Sequence, residues 1–320
     1  MKCDLSESQT ASAAILVRPH LFFYNHDTAL TNTFQRSSLS PHSLTEPALT
    51  EFEAAAAKLE SAGVEVIVFN APGDLELPDA IFPNNWLSTH SDGTVVLYPL
   101  KHQSRRGERR LEYLQALRID YGFRIDRVID LSVMEAEHEF VEGTGSLVLD
   151  RANRVAFASL SPRTTHAGVK AFCAAMSYSA IVFSSVDRAG TPIYHTNVMM
   201  GICTDFAVVC LDAVPDPAQR AHLISTIERG GRALVEISLA QMEAFAGNII
   251  ELTGKEGAVL AMSERAWMAL SRLQQRTLDG LTTVLPVKIP TIEEVGGGGI
   301  RCMIAENHLP HQTFPHPVTL

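Results

Sequence analysis

Cys302, His195 and Glu142 are residue types that together can carry out nucleophilic catalysis. A thiolate attacks an electrophilic carbon, an imidazole moves protons, and a carboxylate orients the imidazole or takes part in the transfer. Cys302 follows four consecutive glycines at positions 296–299 and lies among apolar residues. A glycine run lets the backbone approach a ligand closely and is flexible enough to form a closing loop. We therefore expect Cys302 at the mouth of a buried strand.

The spacing of five residues places these groups together. They are separated by 57, 53, 53 and 54 residues, and they are Asn85, Glu142, His195, Asn248 and Cys302. Taken singly, each residue is also compatible with an ordinary core or turn position. In a ring of equivalent repeats, however, residues in the same register converge on the axis. The shared register therefore predicts one central pocket.

A repeated unit supplies the elements that would position this pocket. An amphipathic helix followed by a β-branched strand is predicted five times, with helices at 46–62, 109–121, 166–176, 217–229 and 264–276. The strands that follow these helices begin near residues 64, 127, 180, 233 and 282. Before each later helix, an alternating or apolar stretch with turn residues at its centre predicts a strand hairpin.

The first and last segments, AAILVRPHLFF and CMIAENHL, together could supply the missing hairpin. The sequence thus predicts an α/β fold, a closed five-bladed propeller of ββαβ modules with the helices outside. Residues 1–320 would form a single catalytic domain. A two-domain arrangement remains an alternative, because a chain of 320 residues is long enough for two domains.

Composition excludes several classes of partner. The net charge of −10 argues against binding to nucleic acid or to an anionic membrane, since both require clustered basic residues. The N-terminus lacks the apolar run of a signal peptide, and no stretch has the length of a membrane span. The five cysteines are scattered without a CxxC pair, which indicates free thiols. We expect a cytoplasmic protein with a small-molecule amino-acid substrate, and a homo-oligomer is compatible with the sequence.

No metal site or cofactor is expected from the sequence. Only one thiol and one imidazole share the register, whereas zinc usually requires at least three protein ligands. His308, His311 and His316 lie in a proline-rich C-terminal stretch that is typical of a loop.

Six motifs resemble, in the same order, those of the amidinotransferase-like or guanidino-group-modifying enzymes. They are PDAIFPNNW (78–86), SRRGE (104–108), EGTG (142–145), SPRTT (161–165), HTN (195–197) and GGGGIRC (296–302). This superfamily includes arginine deiminases, dimethylargininases, agmatine deiminases and arginine:glycine amidinotransferase, and the chain looks most like its dimethylargininases and citrulline-utilising hydrolases. The resemblance spans nearly the whole chain and implies the pentein fold, a five-bladed α/β propeller.

The resemblance also implies residue roles. Cys302 would be the nucleophile, His195 the general acid and base, and Glu142 the carboxylate that contacts both the histidine and the planar head group of the substrate. The remaining substrate contacts would be Asp79, Asn84, Asn85, Asn197, Arg163 and Arg106. Arg163 would hold an α-carboxylate, a role that suits a guanidinium fork. Arg106 would be a second clamp, and Arg105 fits the motif almost as well.

Two positions depart from the family pattern. Asn85 stands where dimethylargininase-like motifs have a carboxylate, and Asn197 stands where arginine deiminases have H-x-D. A neutral amide holds a guanidinium less well than a carboxylate does, but it offers both a donor and an acceptor to a ureido group. We therefore expect hydrolysis of citrulline to ornithine, ammonia and carbon dioxide. The alternatives are an arginine or dimethylarginine deiminase-type hydrolase and a non-catalytic binding protein.

Overall fold

The computed structural model describes residues 7–36 and 41–312. In this part of the chain the strands form five three-stranded sheets. In every sheet the middle strand pairs with one antiparallel and one parallel neighbour. The strands are β1 Ala13–Arg18, β2 Glu65–Asn70, β3 Leu87–Thr89, β4 Thr94–Leu97, β5 Arg127–Asp130, β6 Val148–Asp150, β7 Val155–Leu160, β8 Ser179–Ser184, β9 Met200–Ile202, β10 Phe206–Val209, β11 Ala233–Glu236, β12 Ile250–Gly254, β13 Gly257–Ser263, β14 Thr283–Val287 and β15 Ala305–Asn307.

Helices carry the crossovers between parallel strands, which cannot be joined by a tight turn. The helices are α1 His26–Ala29, α2 Pro41–Ser61, α3 Leu111–Ile119, α4 Gly143–Ser146, α5 His166–Met176, α6 Thr196–Met199, α7 Pro217–Arg229, α8 Leu239–Glu243, α9 Glu264–Ala269, α10 Arg272–Leu281 and α11 Ile300–Met303. Helices α2, α3, α5 and α7 each connect a parallel strand pair, and α9 and α10 together connect the last pair. The repeated helix–strand unit is therefore confirmed as a mixed α/β fold.

The predicted helices agree closely with the structure except for the last one. Helices α5 and α7 have the predicted bounds, whereas the helix predicted over 264–276 is two helices. Ser271 interrupts it: its side chain accepts from the backbone of Gln274, and the Gln274 side chain accepts from the backbone of Ser271. This capping box starts a new helix at Arg272, so the prediction of a continuous helix was wrong.

The two ends of the described chain meet in one sheet. Strand β1 pairs antiparallel with β15, with Ala13 opposite Asn307, and parallel with β2. The predicted pairing of the first and last segments is therefore confirmed. Just before β1, Gln9 donates to the backbone oxygens of Leu149 and Ile202 and so joins two further sheets.

Buried apolar side chains fill the space between the sheets and the helices. Phe52 and Leu59 of α2 and Leu223 and Ile227 of α7 have almost no exposed surface. The helices therefore owe much of their stability to this packing. The described cysteines, which are Cys173, Cys203, Cys210 and Cys302, carry free thiols, while Cys3 and His316 lie outside the described residues. Within 7–36 and 41–312, the helices are too short or too polar to cross a membrane.

Candidate active site

A small buried cavity brings together most of the predicted site residues. Its lining includes Asp79, Asn85, Arg163, His195 and Cys302. The rest of the lining comes from Phe82, Arg105 and Tyr194, from residues within 28–35 and from the glycine run. The volume is about 10 Å³, which is room for roughly one water molecule. In this conformation the cavity is closed to an amino acid.

Three residues of the shared register, Asn85, His195 and Cys302, line this cavity, and the other two, Glu142 and Asn248, bond to His195 and Cys302 from outside the lining. Each lies in the turn that precedes the first strand of an antiparallel pair, on a short helix or at its N-cap, or just before β12. Nε2 of His195 is 2.8 Å from Oε2 of Glu142, and Nδ2 of Asn248 is 3.2 Å from Sγ of Cys302. The predicted convergence of these positions is what the structure contains.

Cys302 lies in the four-residue helix α11, and β15 begins three residues later. It therefore stands just before a strand, as predicted, and a short helix that was not predicted carries it. Burial raises the pKa of the Cys302 thiol, and hydrogen bonds from Asn248 and Asn197 with the charge of Arg301 offset only part of that rise. The sulfur is thus a buried group whose ionisation depends on its immediate donors.

His195 and Glu142 form a fully buried pair. Because Oε2 of Glu142 accepts from Nε2, the other ring nitrogen, Nδ1, is left able to accept a proton. Burial lowers the pKa of His195 to about 4, against the opposing effect of Glu142. The imidazole is therefore neutral near pH 7 and can act as a base.

Two guanidinium groups keep Glu142 ionised. Burial by itself would raise the pKa of this carboxyl, but Arg163, His195 and Arg105 outweigh it and hold the pKa well below its usual range. Arg163 lies 3.6 Å and Arg105 3.9 Å from Oε2. The other carboxylate oxygen accepts from the backbone N–H of Lys101 at 3.0 Å. Glu142 is therefore a fixed anion that holds the histidine ring in place.

The glycines of the EGTG motif are required by this geometry. A Cβ on Gly145 would lie 2.7 Å from Nδ1 of His195 and 2.6 Å from Nδ2 of Asn85. A Cβ on Gly143 would lie 2.1 Å from the backbone oxygen of Asn84, and its φ of +49° also favours glycine. The motif therefore lets α4 pack directly against two side chains of the cavity.

The glycine run is buried and tightly packed. A Cβ on Gly296 would lie 2.7 Å from the Phe82 ring, and Gly297 has a φ of +65°. A Cβ on Gly299 would lie 2.7 Å from Oδ1 of Asn248. These glycines therefore serve close packing beside Cys302 in this conformation.

The segment Asn25–Gln35 covers the cavity and occupies its charged groups. Asn25 and Thr28 both donate to Oδ2 of Asp79, at 2.9 and 3.0 Å. Nη2 of Arg163 donates to the backbone oxygen of Thr28 at 2.8 Å. We call this segment the cover. It bonds to both Asp79 and Arg163, two of the residues predicted to contact the substrate.

The two candidate arginines of the SRRGE motif point in different directions. Arg105 is buried beside the cavity, where it donates to both oxygens of Glu108 and to Oδ1 of Asn85. Arg106 is one-third exposed and pairs with Glu135 at 3.0 Å. The two lie in a 3₁₀ turn, in which successive side chains are about 120° apart. Arg106, named in the prediction as a substrate contact, therefore lies away from the cavity, and Arg105 takes the inward position.

The three predicted asparagines differ in their positions. Asn85 lines the cavity, with Oδ1 held by Arg105 and Nδ2 donating to Asn84. Asn84 is buried behind Asn85 and is not among the residues that line the described cavity. Nδ2 of Asn197 lies 3.6 Å from Sγ of Cys302. Two of the three thus reach the cavity or its nucleophile.

Sequence reasoning missed the residues that the cover contributes. Thr28, Asn32 and Gln35 line the cavity, and Asn32 and Gln35 donate to backbone oxygens of the glycine run. This segment belongs to no repeat, so the register could not identify it. Tyr194 was also missed, although it precedes His195; its hydroxyl donates to the backbone oxygen of Gly297, and Arg163 lies over its ring.

Comparison with solved structures shows a shared fold. The substrate-bound N-terminal domain of ArgZ, an arginine dihydrolase from cyanobacteria, is 17% identical with a TM-score of 0.71, and the match covers 93% of this chain and 99% of that one. AgrE in complex with ornithine and NAD⁺ is 17% identical with the same TM-score, over 94% of this chain and 40% of that one. A dimethylarginine dimethylaminohydrolase adduct with S-methyl-L-thiocitrulline is 14% identical with a TM-score of 0.62, over 92% and 99%.

Sequence comparison identifies the family. No curated protein matches the chain significantly in sequence. The family model described as N,N dimethylarginine dimethylhydrolase, eukaryotic, matches residues 18–309. Because this match includes most of the chain, the protein belongs to the N,N-dimethylarginine dimethylhydrolase family of the amidinotransferase-like, or pentein, superfamily, a family of hydrolases that act on C–N bonds.

Proposed function

We propose that this protein hydrolyses the ureido group of citrulline, with Cys302 as nucleophile, His195 as general acid and base, and Glu142 as the carboxylate that orients the histidine. The products would be ornithine, ammonia and carbon dioxide. Asp79, Asn85, Asn197 and Arg163 would contact the substrate. The choice of a ureido substrate depends on the charges of the residues that surround the cavity.

One observation carries the choice of a neutral substrate. Nη1 of Arg105 donates to Oδ1 of Asn85 at 2.8 Å, so the residue that stands where the family pattern has a substrate-binding carboxylate is already bonded to a buried guanidinium. A substrate guanidinium beside Asn85 would lie next to a charge of the same sign in a desolvated site. A ureido group carries no charge and avoids this repulsion.

The first chemical step would be transfer of the ureido carbon to sulfur. The Cys302 thiolate attacks this carbon, and the bond from carbon to the δ-nitrogen breaks. The imidazolium formed when His195 accepts the thiol proton donates that proton to the departing amine, which leaves as ornithine. A carbamoyl thioester then remains on Cys302.

The second step would be hydrolysis of the thioester. His195, neutral again, removes a proton from water, and the resulting hydroxide attacks the carbonyl carbon. The C–S bond breaks, sulfur leaves as a thiolate that is protonated again, and carbamate dissociates. Carbamate decomposes to ammonia and carbon dioxide. Glu142 stabilises the imidazolium that forms in both steps, since it lies 2.8 Å from Nε2.

The cover would exchange its contacts for those of the substrate. Arg163 now donates to the backbone oxygen of Thr28 and would instead hold the α-carboxylate. Movement of the cover is required, because the closed cavity holds about one water molecule. After closure over the substrate, the site would exclude bulk water other than the hydrolytic molecule.

A guanidino substrate is the second candidate, and a different observation favours it. Among the described residues, Oδ1 of Asp79 has no hydrogen-bond partner although it is buried at the cavity. An unpaired carboxylate oxygen suits a cationic N–H donor. ArgZ is an arginine dihydrolase, and the matching family model names dimethylarginine. Arginine or dimethylarginine would use the same three catalytic residues through an amidino intermediate.

We also infer that residues 1–320 form one domain, in which the five sheets close into a five-bladed propeller. Support comes from hydrogen bonds between neighbouring sheets. Oγ1 of Thr89 in β3 donates to the backbone oxygen of Glu306 in β15, and Gln9 joins β6 to β9. Such contacts between successive units are expected of a ring.

Binding to an inactive variant tests the choice of substrate. Cys302→Ala should bind citrulline more tightly than arginine in titration calorimetry, and the wild-type protein should release ornithine from citrulline. As a control, Cys203→Ala changes a buried cysteine outside the cavity lining and should turn over citrulline like the wild type. The opposite result has two parts: Cys302→Ala binds arginine or dimethylarginine more tightly than citrulline, and the wild type releases ammonia or an amine from that guanidino compound. This result would replace the citrulline proposal with the guanidino candidate.

A further inference from the structure

Two side-chain amides converge on the sulfur of Cys302. Nδ2 of Asn248 lies 3.2 Å and Nδ2 of Asn197 lies 3.6 Å from Sγ, both within hydrogen-bonding range for sulfur. Oδ1 of Asn197 lies 3.9 Å from Sγ and can accept from the thiol, so Asn197 can serve either form of the sulfur, whereas the Asn248 amide only donates to it. All three side chains are buried, with at most 3% of their surface exposed. A thiol accepts hydrogen bonds weakly, whereas a thiolate accepts them strongly. The arrangement therefore suits the ionised sulfur.

The amide of Asn248 is held with its nitrogen toward the sulfur. Nδ2 also donates to the backbone oxygen of Asn197 at 3.0 Å, and a carbonyl oxygen can be paired only with a donor. Oδ1 points away, toward Gly299, where a Cβ would lie 2.7 Å from it. In the described part of the chain this Oδ1 has no partner. The Asn248 side chain thus directs its NH₂ group to the sulfur, while its carbonyl oxygen stays without a described hydrogen-bond donor.

The described hydrogen-bonding neighbours of the sulfur are uncharged, and Asp79 is the carboxylate that lines the same cavity. Within the described residues, the hydrogen-bonding neighbours of Sγ are the amides of Asn197 and Asn248 and the backbone of Gly299. Arg301 is the charged residue that most favours ionisation, although its guanidinium also pairs with Glu306 at 2.8 Å. The titratable groups that share the cavity with the sulfur are His195, Tyr194, Asp79, Arg105 and Arg163.

We propose that Asn248, together with Asn197, donates hydrogen bonds to the thiolate that Cys302 forms when His195 takes its proton, for a substrate that brings no positive charge to the sulfur. Asn248 is then a catalytic residue, because it touches the attacking atom. This inference rests on the proposed ureido substrate: a guanidinium beside the sulfur would itself stabilise the thiolate, and a ureido group would not. The protein must therefore supply the stabilisation through its own donors.

The test is the pH dependence of Cys302 alkylation in the substrate-free protein. Iodoacetamide reacts with the thiolate, and mass spectrometry of the peptide that contains Cys302 follows the rate from pH 6 to pH 11. In Asn248→Ala the midpoint should move to higher pH by about one unit, since one hydrogen bond to a charged group is lost. Asn248→Asp places a carboxylate beside the sulfur and should move the midpoint further in the same direction.

Asn307→Ala is the matched control. Asn307 is buried, and its Oδ1 accepts from Thr89 rather than contacting the sulfur, so the midpoint should stay at the wild-type value. Thermal unfolding establishes that each variant is folded, and Asn248→Asp supplies the readout if Asn248→Ala is not. An unchanged midpoint in both Asn248 variants would overturn the inference.

The measurement needs no turnover, so it separates this inference from the proposed function. A shifted midpoint in a protein that prefers arginine would leave the amide role intact and refute the citrulline proposal. An unchanged midpoint in a protein that hydrolyses citrulline would refute the role of the amides and leave the citrulline proposal intact.

Discussion

Arg163 and Thr28 lie 135 residues apart in sequence and are joined by a 2.8 Å hydrogen bond from Nη2 to the backbone oxygen. A second bond runs from Nε of Arg163 to Oγ1 of Thr31 at 2.9 Å. The residue predicted to hold a substrate carboxylate therefore holds the cover over the cavity in the closed form. Under the proposed function, substrate binding and closure would use the same guanidinium.

The cover should open more readily in Thr31→Val. This change removes the hydroxyl that accepts from Arg163 and pairs with Nε2 of His102, while the side-chain shape is kept. We expect faster amide hydrogen exchange across residues 25–36, measured by mass spectrometry. Thr33→Val is the control, because the Thr33 hydroxyl makes only an exposed contact of 3.4 Å with Asp187. Equal exchange in all three proteins would show that the Arg163 contacts do not hold the cover.

Arg163→Ala should separate substrates by their α-carboxylate. A hydrogen bond between charged groups contributes about 1.5–3 kcal/mol, so KM for the amino acid that the enzyme turns over should rise roughly ten- to a hundredfold. The decarboxylated analogue should show an unchanged or lower KM, because its binding gains from a looser cover. Steady-state kinetics with both compounds measure this, and an equal loss for both would contradict the carboxylate role.

Gly145→Ala should disrupt the catalytic pair without unfolding the protein. The added methyl group would lie within 2.9 Å of Asn85 and of two atoms of the His195 ring, so the histidine must move. We expect kcat to fall by about a hundredfold or more, because general acid–base catalysis requires hydrogen-bond reach. Gly280→Ala is the control: it lies in α10 with open space around its Cβ position, so activity should be unchanged. Wild-type turnover in Gly145→Ala would contradict the described packing.

Asn85→Asp by itself should not create an arginine-binding site. The new carboxylate would pair with Arg105, which already donates to Oδ1 at 2.8 Å, and so would be neutralised within the protein. Titration calorimetry on the Cys302→Ala background should therefore show little gain in arginine affinity for this variant. A gain of tenfold or more would show that position 85 reaches the substrate in spite of Arg105.

Acid should weaken the contribution of His195 to stability. Burial lowers the pKa of this histidine from its ordinary value of 6.5 to about 4 in the folded protein. Between these values the unfolded chain binds more protons than the folded chain, so this contribution is present above pH 6.5 and is lost as the pH falls toward 4. Urea titrations at pH 7 and pH 4.5 measure the unfolding free energies of the wild type and of His195→Gln. Relative to His195→Gln, the wild type should be less stable at pH 4.5 than at pH 7. A difference independent of pH would place the histidine pKa near its ordinary value.

The sequence by itself determined the repeat and the register. Helix and strand periodicity is a local property, and the spacing of Asn85, Glu142, His195, Asn248 and Cys302 follows from repetition of one unit. That spacing was enough to predict that Cys302 and His195 line one cavity and that Glu142 lies beside the histidine. The reason is that each of these residues lies in the turn before the first strand of its own repeat, and the repeats have the same strand arrangement.

Only the tertiary structure decided which groups face one another. A 3₁₀ turn directs Arg105 inward and Arg106 outward, although the motif fits both almost equally. The cover lies outside the repeat, so its contacts with Asp79 and Arg163 depend on how the chain packs in three dimensions. The orientation of the Asn248 amide likewise depends on a backbone oxygen 51 residues away, at Asn197. Such hydrogen bonds join residues that are far apart in sequence and do not recur from repeat to repeat. The periodicity of the sequence therefore cannot predict them.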